Sequence, residues 1–122
     1  MYWSNYAPGD NSAIVRSEMD GSNPVAVVTQ LRDPCGLAID ISSSRLYWAG
    51  GPTGNVQSSN LGGGNILTLV QASSAPYGIA ITHQKLFWSP DNSTLQSSNV
   101  DGSNIRTVFI GPADIRLLAV PD

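Results

Sequence analysis

The feature that most constrains this chain is a series of motifs that occurs three times. Aromatic pairs stand at Tyr2-Trp3, Tyr47-Trp48 and Phe87-Trp88, and the tryptophans are 45 and 40 residues apart. Each pair is followed by a turn segment and a short strand-like run: Ala13 to Ser17, Asn55 to Ser59, and Thr94 to Ser98. A turn signature comes next, as Asp20-Gly21-Ser22-Asn23, Gly62-Gly63-Gly64-Asn65 and Asp101-Gly102-Ser103-Asn104. Then runs a third apolar stretch, Val25 to Val28, Ile66 to Val70 and Ile105 to Ile110. A small-residue strand closes each copy: Gly36-Leu37-Ala38-Ile39, Gly78-Ile79-Ala80-Ile81 and Leu117-Leu118-Ala119-Val120. From Asn23 to Ile39 the second copy holds an offset of 42, and the third matches the first at 81. Constant offsets across several motifs mark stacked repeat units.

Each repeat therefore holds four short strands. Asp-Gly and Gly-Gly between apolar runs supply the positive-φ positions that tight hairpins need. No segment carries apolar residues at helical spacing over ten or more positions, so helix is scarce. Four strands in a period of about 40 residues is the signature of propeller blades. The expected fold is all-β: a single domain spanning 1–122, with repeats at approximately 2–45, 46–85 and 86–122. The same organisation explains how a chain with 12 Gly and 8 Pro builds a core. Face-to-face sheets supply it, and the Gly, Asn and Ser residues occupy the hairpins.

Composition removes several function classes. Six Lys and Arg and a net charge of −3 leave no basic stripe, so nucleic acid is a poor partner. No run of about 18 apolar residues exists to insert into a membrane as a helix. Cys35 is the single cysteine, so no disulfide framework staples the fold.

The motifs resemble the class B repeat of the low-density lipoprotein receptor family, the YWTD repeat. Tyr2-Trp3-Ser4-Asn5, Met19-Asp20-Gly21 and Gly36-Leu37-Ala38-Ile39-Asp40 carry the pattern in the first copy. The fourth-position Asp of the motif is replaced by Asn5, Gly50 and Pro90, and the strand-ending Asp survives only as Asp40. The resemblance implies a six-bladed propeller, of which three repeats are half. The Tyr-Trp strand is the second of a blade and Leu117 to Val120 is a first strand, so strands exchanged between two copies would close the ring. The expectation is a homodimer with an isologous interface; the other reading is that the chain is half of a longer protein.

In an up-and-down blade, connections alternate between the two ends of the strands. The segments entering the first strand therefore share a face with those following the Tyr-Trp strand. That face collects Arg32 to Cys35, Ser74 to Tyr77 and Ala113 to Arg116, with the longer turns Ser4 to Ser12, Ala49 to Gly54 and Ser89 to Ser93. Longer loops on a rigid scaffold are where binding resides, and the resemblance implies ligand binding on the same face. The candidate ligand-binding residues are Tyr77, Arg116, Asp33, Asp114, Tyr6, Asp91 and Asn92. Each also has a plainer role. The tryptophans pack the core, Asp33 with Arg32 and Asp114 with Arg116 form local ion pairs, and Pro90-Asp91-Asn92 is first a turn. Gln57-Ser58-Ser59-Asn60 and its copy at Gln96 read as solvated strand faces, and Cys35 as a buried small residue or, in second place, a thiol at the channel mouth.

Catalysis finds little in this sequence. His83 is the only histidine and lies away from the loop face, no nucleophile motif accompanies it, and Cys35 and His83 lack metal-ligand spacing. Asp33 and Asp114 are a thin supply of carboxylates for a calcium-dependent propeller hydrolase. The expectation is a secreted, non-enzymatic binding module without a cofactor or metal. Its ligand is a protein or peptide, or alternatively a glycan, as in a stand-alone multivalent lectin. Asn92-Ser93-Thr94 is an N-glycosylation acceptor sequence that fits an extracellular setting.

Overall fold

The short apolar runs pair with their sequence neighbours, as hairpin chemistry dictates, and form three antiparallel sheets. The computed structural model describes residues 1–50, 54–71, 76, 78–91 and 93–112. The first sheet holds β1 (Tyr2–Asn5), β2 (Ser12–Arg16) and β3 (Val25–Leu31) in that order. The second runs β4 (Pro34–Asp40), β5 (Arg45–Gly50), β6 (Asn55–Asn60) and β7 (Leu67–Val70). The third runs β8 (Ile79–Thr82), β9 (Lys85–Trp88), β10 (Thr94–Asn99) and β11 (Arg106–Ile110). The Tyr-Trp strand is second in the latter two sheets, the phase expected from the repeat. Leu117 to Val120, expected as a further first strand, lie outside the described residues.

The turn signatures behave alike in all three copies. Gly21, Gly63 and Gly102 take φ of 85°, 88° and 86°, and Asn23, Asn65 and Asn104 take 52°, 52° and 54°. The Asp20 and Asp101 carboxylates accept the backbone N–H of Ser22 and Ser103, each at 2.9 Å. In the middle copy the Asn60 amide oxygen does this work for the N–H groups of Gly62 and Gly64. Asp and Asn side chains that bond their own following backbone are what set such turns.

Successive residues of a strand point to opposite faces, and β5 is buried on both. Leu46 and Trp48 face the first sheet, where they meet Ile14 and Val28. Tyr47 and Ala49 face the third sheet, where with Val56 and Val70 they meet Ile79, Leu86 and Trp88. Burial of each such large side chain contributes roughly 1.5–3 kcal/mol, so the two intersheet seams are the core. Polar contacts cross the seams too: the Tyr2 hydroxyl donates to the Leu61 carbonyl at 3.0 Å. A Cβ on Gly63 would run into the Val27 carbonyl of β3, and one on Gly102 into the Leu69 carbonyl of β7. The Gly63 and Gly102 turns thus each dock on the outer strand of the preceding sheet.

Two expectations are corrected by this packing. Ser58, Ser59 and Ser98 are buried rather than on solvated faces. Ser58 Oγ accepts from Arg45 Nη2 at 2.7 Å, and Gln57 accepts from Trp48 Nε1 at 3.2 Å. Polar side chains of β6 therefore sit between sheets as hydrogen-bond partners. Trp48 and Trp88 are buried as expected, while Trp3 is only half-buried.

Candidate functional site

The β1–β2 and β3–β4 connections meet at one end of the first two sheets. Arg32 Nε donates to Asp10 Oδ1 at 2.6 Å and ties the two loops together. The β1–β2 loop is closed from within. The fully buried Ser12 hydroxyl donates to the Ala7 carbonyl and accepts the Ala7 N–H, both at 3.0 Å. Asn11 Nδ2 donates to the Pro8 carbonyl at 2.8 Å. These bonds leave Tyr6 projecting outward, 69% exposed.

The Arg32 pairing corrects the sequence reading. Asp10, across the loop face, holds the guanidinium, and no ion pair joins Arg32 to the adjacent Asp33. Asp33 is half-buried and takes a φ of 46°. That turn directs its carbonyl to accept the Cys35 thiol at 3.3 Å. Cys35 is exposed, against the expectation of burial, because the turn brings it to the rim of β4. Partial desolvation, then the Asp33 carboxylate, push the thiol pKa up.

Asp91 is committed to its own turn. Its Oδ1 accepts the N–H groups of Ser93 and Thr94, each at 2.8 Å. Those bonds, the Ser93 N–H foremost, hold the carboxyl below its ordinary range. Tyr6 and Asp33 therefore lie on loops joined to one another, whereas Asp91 stands two blades away on the β9–β10 loop. Tyr77, Asn92, Asp114 and Arg116 lie outside the described residues.

The end of the sheets opposite the loop face is also concave. A cleft of about 380 Å³ opens between the β4–β5 and β8–β9 turns, lined by Ile39 to Ser42 and Ile81 to Gln84. Its polar groups are largely engaged locally. The Asp40 carboxylate accepts the Ser42 and Ser43 hydroxyls, each at 2.6 Å, which hold it below its ordinary range. His83 and Gln84 form a two-residue hairpin with φ of 45° and 61°, and His83 Nδ1 lies 3.0 Å from Thr82 Oγ1. The pairing of adjacent first-strand ends creates this cleft, so no local motif announces it. Among the described residues, no group of three or more His, Cys, Asp and Glu could hold a metal ion.

Known proteins resemble this chain both in sequence and in fold. The vitellogenin receptor Yl of Drosophila melanogaster is 33% identical over 91 residues, which is 73% of this chain and 4% of that protein. Low-density lipoprotein receptor-related protein 5 of mouse and of human is 30% identical over 108 residues, 87% of this chain and 7% of each protein. The chain belongs to the low-density lipoprotein receptor class B repeat family. No family model matches this class B repeat chain. It spans 4% to 7% of the length of the curated relatives it matches. The fold also resembles a chain in the crystal structure of a nidogen–laminin complex. The TM-score is 0.74 at 20% identity, covering 91% of this chain and 45% of that one. Among the described residues no helix is long and apolar enough to cross a membrane.

Proposed function

We propose that this class B repeat chain is a non-catalytic ligand-binding module that recognises an extracellular protein or peptide through the loop face of its propeller. The observation that carries the reading is the Asp10–Arg32 tie, which joins the loop bearing the exposed Tyr6 to the loop bearing Asp33. A rigid rim bearing an exposed aromatic and a carboxylate suits a peptide whose hot spot is apolar with a basic neighbour. Similarity to proteins named as receptors supports the same reading. Tyr77, Asn92, Asp114 and Arg116 are proposed as further ligand contacts on the strength of the sequence repeat, and Asp91 shapes the β9–β10 loop. The three sheets are half of a six-bladed ring completed by a second copy of the chain, so the rim is shared between two protomers. The molecule acts outside the cell.

The test is selection of peptides from a displayed library on the immobilised chain, followed by affinity measurement. Tyr6→Ala and Asp33→Asn are expected to weaken a selected peptide about tenfold or more. His83→Ala, at the opposite end, is expected to leave it unchanged. Loss with His83→Ala and retention with both rim variants would overturn the assignment of the face. Binding of one sugar series on a glycan array, abolished by Tyr77→Ala, would replace the peptide reading with a carbohydrate-binding one.

A further inference from the structure

The seam between neighbouring sheets occurs twice within the chain, and each terminal sheet exposes one half of it again. On the second sheet Tyr47, Val56 and Val70 are 2%, 0% and 7% exposed because the third sheet covers them. The matching positions of the third sheet are Phe87, Leu95 and Phe109. Phe87 and Leu95 are only half-buried, and Phe109 is 54% exposed. The first sheet exposes the opposite half. Leu61 and Val100 pack into the two seams, whereas their counterpart Met19 is 82% exposed.

The glycine turns complete the series. Gly63 sits on the Val27 carbonyl and Gly102 on the Leu69 carbonyl, while a Cβ on Gly21 would meet only the Met1 side chain, at 4.0 Å. The backbone of Gly21 is nonetheless shaped like the other two, with φ of 85°. By the repeat offset, the carbonyl that corresponds to Val27 and Leu69 is that of Val108 on β11.

We infer that a second copy of the chain docks head to tail, the Met19–Gly21 turn of one protomer seating on the Val108–Phe109 stretch of the other. The inference rests on the ring closure proposed above and names the surfaces that make it. The two faces fit each other because they are the unmatched halves of a seam that this sequence already forms twice. Two such contacts related by a twofold axis close the ring and leave no terminal face exposed. Met19 meets Phe109 there, as Leu61 shares a seam with Val28 and Val100 with Val70.

Light scattering on the full chain tests it, with circular dichroism to confirm folding. The wild type is expected at twice the chain mass. A wild-type mass of one chain at all concentrations overturns the ring closure, and the docking with it; the peptide selection above judges the loop face separately. Gly21→Asn keeps a residue that tolerates positive φ but places a side chain where the Val108 carbonyl must sit. It is expected to be folded and of single-chain mass. Met19→Lys and Phe109→Glu are each expected to lose the dimer, and combining them in one chain to restore it in a salt-sensitive form. A dimer that persists in Gly21→Asn and in both single charge variants overturns the docking surfaces while leaving closure by another route standing.

Discussion

Gly36→Ala tests the close approach of the first strands. Gly36 opens the small-residue run of β4, and its φ lies outside the left-handed region, so alanine meets no backbone strain of its own. The obstacle is its neighbour. A Cβ there would stand 2.8 Å from the Ile79 nitrogen, 2.9 Å from Gly78 Cα and 3.1 Å from its carbonyl carbon. Ordinary contact begins near 3.4 Å, and all three atoms are backbone, so β4 and β8 must move apart. Forcing an extra methyl into a packed site costs about 1–3 kcal/mol. The lost freedom of the unfolded chain returns about 0.4–1 kcal/mol. The net expectation is a loss of about 1–2 kcal/mol, or a melting point lower by about 4–10 °C for a chain of this size. Gly62→Ala is the control: Gly62 is exposed, and its Cβ would meet only Asn60 Oδ1 at 3.5 Å. It is expected to be neutral or slightly stabilising. Urea and thermal unfolding at one fixed protein concentration measure both, since association shifts apparent stability. Equal stability of the two variants would refute the argument that backbone proximity fixes the glycine.

Tyr2→Phe removes a partly buried donor that crosses a seam, and the Leu61 carbonyl loses its partner. A loss of about 1 kcal/mol in urea unfolding is expected, and no change would mean that water replaces the hydroxyl. Asp20, Asp40, Asp91 and Asp101 are all held below their ordinary carboxyl range by serine hydroxyls and by backbone N–H groups of their turns. Their folded pKa values are lower than the unfolded ones, so their contribution is full above about pH 4 and is lost as pH falls through the folded values. The urea midpoint is expected to drop on acidification below about pH 4, less so in Asp40→Asn; a drop of equal size in that variant would refute the assignment for Asp40. The raised pKa of Cys35 implies slow alkylation by iodoacetamide near neutral pH, because the thiolate is the nucleophile. Asp33→Asn is expected to speed the reaction, and slower alkylation would contradict the charge effect.

Much of the scaffold is legible residue by residue. Asp20-Gly21, Gly62-Gly63 and Asp101-Gly102 announce hairpins because the required φ and the side-chain acceptor are properties of the residues themselves. The Tyr-Trp pairs announce second strands because their alternation serves two seams at once. The candidate site was legible only as loops sharing an end of the sheets. The sequence offers the adjacent Asp33 as the partner of Arg32, whereas the folded loops bring Asp10 to within 2.6 Å of it. Asp91 looks like a binding carboxylate in a list of loop residues, but its turn uses Oδ1. Ser58 and Ser59 look like solvent-facing residues of a polar strand, but β6 lies between sheets.

By itself, the sequence determined the threefold period, the strand content, the hairpins and the phase of the blades. Those features depend on local φ preferences and on alternation within a few residues. Tertiary structure alone decided which loops are tied, that Cys35 is exposed, where the opposite-end cleft forms, and why Gly36 has no side chain. It also revealed that Met19 and Phe109 are exposed where their repeat counterparts are covered. Such outcomes depend on how one sheet stacks on the next, and stacking brings together atoms that no stretch of neighbouring residues contains.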